Sequence, residues 1–324
     1  AYIDAGITIP PLPATEGPAT LHITHSWGGG IAKWINVFVQ ADKRHRHFQL
    51  RSENAEASPP FGLKLSLYAG NELRCPIASW WLQPPIESSE STHSDVKDIV
   101  SEVCARYGIS RVFVSSLIGH SLDALRTGVP TVQVLHDHYP TWPLLGVNPE
   151  PYLLESGGVD LEPALSDHKH RLNFLDRSKS EWARFHADYL QALTEFDVGI
   201  IAPGQWVLDL QNRLEPAFSG LESKVIRHGF PALENLQVVK PRSRKDGRLR
   251  MVILGRVQEG KGSELLERAL PELTEHVQVY LLGTGKPGEQ FFGIPGVNVI
   301  LEYDHSELAG LLNTVGPDFA ALLS

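Results

Sequence analysis

Cysteine and methionine are scarce in this sequence. Its 324 residues include two cysteines, Cys75 and Cys104, and one methionine. Two cysteines are too few for a disulfide framework, and the spacing of this pair is not that of a metal-binding motif. We therefore expect free thiols in a reducing compartment, of which the cytoplasm is the simplest.

Excess positive charge and long apolar runs are also missing. The net charge is −9 at pH 7, whereas binding to a nucleic-acid backbone needs a basic face, so we expect no nucleic-acid partner. No apolar run reaches the ~18 residues of a membrane span, and no charged segment followed by an apolar one opens the chain. We expect a cytoplasmic protein with, at most, peripheral contact with the inner face of the membrane.

Short apolar runs recur along the whole chain and alternate with helical patterns. Ile31–Ala41 is the first predicted helix, with apolar residues on one face, and later helices are predicted to include Leu122–Thr127 and Ser263–Leu270. This alternation is typical of an α/β fold with a mostly parallel sheet. The predicted strands are Leu21–His25, Phe48–Ser52, Leu63–Tyr68, Arg111–Ser115, Thr131–Leu135, Val198–Ala202, Lys224–Ile226, Leu249–Leu254, Val277–Leu282, Val297–Leu301 and Phe319–Leu323.

The length of the chain predicts two domains rather than one. Residues 1–18 are rich in proline and are assigned to a linker, and residues 19–234 to a first Rossmann-like domain. Residues 235–247 contain Pro241 and four cations and form the predicted interdomain linker. Residues 248–324 are then a second Rossmann-like domain.

An apolar strand in the second domain delivers two cations at its carboxyl end. Leu249–Leu254 runs into Gly255 and Arg256, and Lys261 follows. Ligands of open α/β sheets bind beyond the carboxyl ends of strands, where glycine lets the backbone approach a bulky group. Arginine offers a planar fork to a phosphate and lysine a mobile point charge. We predict a diphosphate site here that needs no metal; a solvated turn is the alternative.

Two other glycine-rich loops follow predicted strands. Gly28, Gly29 and Gly30 lie between a strand and a helix, whose first amides can face an anion or a sugar. Gly283 and Gly285 belong to a segment that fits the dinucleotide-binding fingerprint. Pro287 opens no long helix after it, however, so a nicotinamide enzyme is a disfavoured alternative.

His136 ends the strand Thr131–Leu135 and is followed by Asp137 and His138. The His-Asp-His string suggests zinc, but no third protein ligand is evident beside it, so we predict no metal. His136 is either a residue of the site or a structural histidine that caps the strand.

Four segments together resemble the GT-B glycosyltransferases, specifically the retaining group often called glycosyl transferases group 1 or family 4. They are spread over nearly the whole chain: the loop Gly28–Gly30, the strand end Gly128–Asp137, the strand end Lys224–Gly229, and Gly255–Arg256 with Lys261–Gly262. The sequence departs from the family at Ala202–Gln205, where a serine is usual. The family's acidic motif, two glutamates separated by seven residues, is expected beyond Ser324.

The resemblance implies two Rossmann-like lobes that face a cleft, with the acceptor bound by the N-terminal lobe and the nucleotide sugar by the C-terminal lobe. It implies sugar transfer from a nucleotide-diphosphate sugar, with retention, without a metal and without a cofactor other than the donor. The acceptor is an unidentified glycan or lipid-linked molecule. The implied catalytic residues are Arg256, Lys261 and His136, and the implied donor-binding residues are Gly28, Gly29, Gly30, Gly255, Gly283 and Gly285.

The predicted strand Phe319–Leu323 stops where the resembled fold continues with a loop and a helix. We therefore expect an incomplete C-terminal lobe and a chain that is a piece of a longer polypeptide with further domains. On this expectation the piece binds nucleotide weakly and turns over little.

Two other functions stay open. One is a non-catalytic nucleotide- or sugar-binding module of a multidomain protein, and the other is a nucleotide-sugar epimerase of similar fold, for which the sequence assigns no paired acids and histidines. The basic runs Lys43–His47 and Arg242–Lys245 could touch an anionic membrane, although such runs are usually solvated charge.

Overall fold

The structure is a computed structural model that describes residues 17–54, 59–168, 177–229, 247–257 and 261–323. The chain divides into two compact units, Ala1–Pro231 and Ala232–Ser324. Most of the predicted linker 235–247 lies outside the described residues. No helix in the described ranges is long and apolar enough to cross a membrane.

The first unit is built on one sheet, to which eight strands of the described residues belong. Their order across the sheet is β4-β3-β2-β1-β5-β6-β7-β8. The strands from β2 through β1 to β8 run parallel, and β3 and β4 extend the sheet antiparallel. The strands are β1 Ala19–His25, β2 Arg46–Glu53, β3 Gly62–Ala69, β4 Ala78–Ile86, β5 Ile109–Val114, β6 Thr131–Val134, β7 Gly199–Ala202 and β8 Ser223–Val225.

Helices connect these strands and cover the sheet. Strand β1 is buried along its whole length, as expected for a central parallel strand with both faces covered. Helix α4 buries Trp182, Phe185 and Tyr189 at helical spacing in the same apolar core. The helices are α1 Gly29–Ala41, α2 Ser94–Tyr107, α3 Leu161–Asp167, α4 Lys179–Glu195 and α5 Gln205–Leu214.

The second unit has a smaller parallel sheet, to which four strands of the described residues belong, in the order β11-β10-β9-β12. Its core contains Met251, Val279 and Leu281 from the strands and Leu266 and Leu270 from a helix. The elements are β9 Leu249–Leu254, α6 Ser263–His276, β10 Val277–Leu282, β11 Val297–Ile300, α7 Leu308–Val315 and β12 Phe319–Ala321.

The α/β class with a mostly parallel sheet is confirmed, and each predicted strand is present with small changes at its ends. Three features differ from the sequence prediction. Strand β4 was not predicted, α6 continues through Pro271 to His276 instead of ending at Leu270, and the predicted helix after Ser121 is a single 3-10 turn over Leu122–Ala124.

Candidate functional site

The glycine-rich strand ends of the second unit lie side by side. Strands β9 and β10 are parallel neighbours, with Leu254 paired to Leu282, so Gly255 and Gly283 come directly after paired positions. The Gly255 N–H donates to the carbonyl of Leu282 (2.9 Å). Two of the predicted loops therefore form one edge of this sheet.

The three glycines of this edge turn the backbone rather than offer free amides. Gly255, Gly283 and Gly285 have φ values of 96°, 78° and 66°, in the left-handed region that favours glycine. The N–H groups of Gly283 and Gly285 donate to the carbonyls of Ile300 and Leu301, at 2.7 and 2.9 Å. Their amides are therefore already hydrogen-bonded within the sheet edge and its loops.

The side chain of Arg256 lies against this edge and brings a positive charge to it. A Cβ placed on Gly285 would be 3.8 Å from both Cγ and Nε of Arg256, so the side chain runs past that glycine. Arg256 is exposed, and no ion pair to it is found among the described residues. Its guanidinium can bind an anion at the carboxyl ends of β9 and β10.

Lys286 is a second cation at this edge that the sequence reasoning missed. It is exposed and opens a 3-10 helix directly after Gly285, the glycine that Arg256 contacts. The signal in the sequence is the string Gly-Thr-Gly-Lys, which places Lys286 directly after two predicted donor-binding glycines.

Lys261 is separate from the loop Gly283–Lys286, because it lies near the end of β12, on the other side of β9 from β10. It is exposed and precedes Gly262, where an added Cβ would be 2.5 Å from the Leu323 Cβ. Lys261 is thus placed beside the chain that follows β12, and no contact with Arg256 is found in the part of the chain that the structure describes.

In the first unit, the loop Gly28–Gly30 opens α1 at the carboxyl end of β1. Gly28 and Gly29 have φ values of 80° and 72°, and a Cβ added to Gly28, Gly29 or Gly30 would meet no atom within 4 Å. No side chain caps the start of α1 among the described residues. The backbone at this end of β1 is therefore open to a ligand.

His136 shares that edge with aromatic rings from other elements. Its ring centroid lies 5.1 Å from that of Trp34 on α1 and 5.2 Å from that of His228, which follows β8. The ring centroids of Trp34 and His228 are 6.0 Å apart. The strand ends of β6 and β8 and the helix behind the glycine loop therefore meet in one cluster of three rings.

The histidines of this edge are uncharged near neutral pH. Burial, with His228 and His25 nearby, lowers the pKa of His136 to about 3. Burial, with His120 and Arg51 nearby, lowers the pKa of His25 to about 4, and burial also lowers the pKa of His228. A neutral imidazole can donate one hydrogen bond and accept another.

The His-Asp-His string does not converge on a common point. The His136 Nε2 lies 3.3 Å from the Ser115 Oγ, and the His138 Nδ1 lies 2.9 Å from the Gln211 Oε1. Asp137 accepts a hydrogen bond from the Tyr139 N–H (3.0 Å), and burial raises its pKa to about 6. Within the described ranges, no three His, Cys, Asp or Glu side chains are grouped as metal ligands.

A cavity of about 400 Å³ lies away from these strand ends, between α6 and the connection from β10 to β11. Its wall is mostly apolar and contains Leu270, Pro271, Phe291, Ile294 and Pro295. None of the predicted site residues lines it.

The basic run of the first unit is largely engaged within the protein. His45 contacts Asp42 (2.8 Å), and Arg46 donates to the carbonyl of Tyr107 (2.9 Å). Lys43 and Arg44 are exposed. The second basic run, Arg242–Lys245, lies outside the described residues.

No protein-family model matches the chain, and no curated protein does. Several solved structures are similar to it, of which three are described. HepE of Anabaena, in complex with UDP and glucose, has 14% identity over 94% of this chain and 74% of its own, with a TM-score of 0.48. The glycosyltransferase SnogD from Streptomyces nogalater has 13% identity over 89% and 72%, with a TM-score of 0.39.

The third is UDP-GlcNAc 2-epimerase from Neisseria meningitidis bound to UDP-GlcNAc. It has 11% identity over 91% of this chain and 75% of its own, with a TM-score of 0.33. Identities and TM-scores this low assign no activity to this chain.

Proposed function

We propose that the protein is a GT-B glycosyltransferase that moves a sugar from a nucleotide-diphosphate sugar to a glycan or lipid-linked acceptor. The donor's diphosphate binds at the carboxyl edge of the second unit's sheet, and the acceptor binds to the first unit. Retention of configuration is the stereochemistry that the sequence resemblance implies. The scarcity of cysteine supports a cytoplasmic location, and the exposed Lys43 and Arg44 support peripheral contact with an anionic membrane.

The observation that carries this proposal is Arg256 beside Gly285. An exposed guanidinium without an ion-pair partner in the described ranges lies beside Gly285, at the carboxyl ends of β9 and β10. Lys286 adds a second cation from the neighbouring residue. Two cations for which the described residues provide no paired carboxylate suit a ligand with two negative charges, such as a diphosphate.

These cations also explain how the reaction can proceed without a metal ion. When the glycosidic bond to the phosphate breaks, negative charge accumulates on the leaving nucleoside diphosphate. A guanidinium already in place stabilises that charge more than it stabilises the ground state, which is how such a group accelerates the reaction. Arg256 is the residue assigned this role, with Lys286 and Lys261 as supporting charges.

The open glycine loop and the ring cluster of the first unit suit the sugar side of the reaction. Uncharged imidazoles and an indole present hydrogen-bonding groups and flat apolar faces, and both are suited to hydroxyl-bearing rings. We assign His136 a contact with the reacting sugar, near the loop Gly28–Gly30.

Calorimetric titration of the protein with UDP, GDP, ADP and TDP, and with their glucose conjugates, tests the proposal. We expect at least one nucleotide to bind. Arg256→Ala should weaken that binding by about ten- to a hundredfold, since hydrogen bonds to a charged group contribute ~1.5–3 kcal/mol. Arg268→Ala is the matched control, because Arg268 is an exposed arginine on α6 outside the proposed site.

Three outcomes are distinct. Binding that depends on Arg256, together with release of nucleoside diphosphate from a donor, supports the transferase. Binding that depends on Arg256 without turnover, with or without added acceptor sugars, supports a non-catalytic nucleotide-binding module. If no nucleotide binds, or if both arginine variants bind like the wild type, the proposed donor site is wrong.

A further inference from the structure

Ser115 and His136 meet at the carboxyl edge of the first unit's sheet. Ser115 directly follows β5, and His136 follows β6, its parallel neighbour, in which Gln133 pairs with Val114. The Ser115 N–H donates to the carbonyl of Ile23 on β1 (2.8 Å), which fixes the serine backbone. The two side chains complete the contact, with 3.3 Å between the Ser115 Oγ and the His136 Nε2.

The direction of this hydrogen bond follows from burial. Ser115 is 4% exposed, and among the described residues the His136 Nε2 is the acceptor within reach of its hydroxyl. If Nε2 carried the ring proton, the imidazole would donate to Oγ and leave a buried hydroxyl hydrogen without an acceptor, which is unfavourable. The hydroxyl therefore donates to Nε2, and the proton of the neutral ring lies on Nδ1.

The surroundings of His136 keep this arrangement uncharged. His228 from beyond β8 and Trp34 from α1 pack against the imidazole, and His25 at the end of β1 is near enough to lower the pKa of His136. Because both histidines are themselves neutral and the indole carries no charge, none of these three groups supplies a counter-ion for a protonated His136. A neutral ring with its proton on Nδ1 is a hydrogen-bond donor to an oxygen atom.

We propose that Ser115 is a positioning residue that holds the His136 imidazole by Nε2, so that the Nδ1–H is the donor that His136 offers to an oxygen of the nucleotide sugar. That oxygen belongs to a sugar hydroxyl or to a phosphate. The ligand part of this inference rests on the proposed function, whereas the position of the ring proton does not.

Nitrogen-15 NMR of histidine side chains tests the position of the proton without any ligand. The His136 signals are those lost in His136→Gln. We expect a protonated Nδ1 and an unprotonated Nε2 in the wild type, a shift of the proton towards Nε2 in Ser115→Ala, and retention of the wild-type pattern in Ser115→Thr, which keeps the hydroxyl.

Ser116→Ala is the matched control for this experiment. Ser116 is also buried, at 7% exposure, but its hydroxyl accepts from the Ile118 N–H (3.2 Å) instead of contacting His136. The control should leave the His136 signals unchanged. A proton on Nε2 in the wild type, or the same pattern in Ser115→Ala as in the wild type, would overturn the inference.

Calorimetry with the same four nucleoside diphosphates and their glucose conjugates tests the ligand part. If Nδ1–H meets a sugar hydroxyl, Ser115→Ala should weaken binding of the glucose conjugate about five- to tenfold and leave the diphosphate unaffected. If it meets a phosphate, both ligands should weaken alike. Unchanged binding of both would refute the ligand contact. Absence of all nucleotide binding to the wild type would refute the proposed function and leave the NMR result to decide the role of Ser115.

Discussion

Burial lowers the pKa values of several histidines in the first unit. His22 is fully buried on β1, with its Nε2 3.1 Å from the His47 Nδ1. Burial, reinforced by His47 and Arg111, lowers the pKa of His22 from 6.5 to about 3, although Asp42 opposes the shift. The folded protein thus holds a neutral imidazole over a pH range in which an unfolded chain binds a proton.

This pKa predicts that acid destabilises the protein through His22. The unfolded His22 takes up a proton below about pH 6.5 and the folded one only near pH 3. Its contribution to stability is therefore complete above pH 6.5 and is lost as the pH falls towards 3, at ~1.4 kcal/mol per pH unit. Urea unfolding at pH 7.5, 6 and 5 measures this slope.

His22→Gln should reduce the pH dependence of the unfolding free energy by about one proton between pH 6 and 5. His276→Gln, at the exposed end of α6, serves as the control variant. Equal slopes for the wild type and His22→Gln would show that His22 does not titrate as its burial requires.

Individual site residues were predictable from the sequence only where local chemistry marks them. Arg256 follows an apolar strand and a glycine, so its placement at a strand end could be predicted. Ser115 carries no such mark, because its contact with His136 depends on the register between β5 and β6. Gly283 and Gly285 were found, but the hydrogen bonds of their amides depend on β11, which lies farther along the chain.

At the scale of elements, apolar patterns predicted the buried parallel strands and failed at an edge. Strand β4 contains Pro84 and Pro85, which argue against a strand because proline donates no ladder hydrogen bond. The structure accommodates them because β4 is an edge strand, which pairs only with β3 among the strands that the structure describes. The predicted end of α6 at Leu270, directly before Pro271, was also wrong. The helix continues past the proline to His276, because Leu270 and Leu273 on either side of it pack in the apolar core.

Helix α4 begins with a capping box that predicts a measurable stability effect. The Ser178 Oγ accepts from the Glu181 N–H (3.4 Å), and the Ser178 N–H donates to the Glu181 Oε2 (2.7 Å). Ser178→Ala leaves an amide of the first turn without its side-chain partner and should lower the unfolding free energy by ~1 kcal/mol.

Chemical denaturation followed by circular dichroism measures the effect of that substitution. Ser178→Thr keeps the hydroxyl and should lie within ~0.5 kcal/mol of the wild type. A loss as large in Ser178→Thr as in Ser178→Ala would mean that the cap is not what stabilises the start of α4.

At the scale of the whole molecule, the two units divide the proposed work between a diphosphate site and a sugar site. Each unit places its candidate residues at the carboxyl edge of a parallel sheet, where helix starts, glycines and strand ends converge. Local sequence patterns predict such edges well, because each strand and each loop carries its own signal. They do not predict contacts within an edge, which depend on strand order.

This division predicts where a bound nucleotide protects the backbone from hydrogen exchange. A saturating nucleoside diphosphate should slow exchange in peptides covering 249–257 and 277–288 of the second unit, because a ligand on Arg256 and Lys286 suppresses opening of those loops. Peptides covering α2 in the first unit should be unaffected. Arg256→Ala should remove the protection at the same nucleotide concentration, and Arg268→Ala should retain it. Protection confined to the cavity beside α6, at peptides covering 267–274 and 290–295, would place the nucleotide there instead and contradict the assignment to the strand ends.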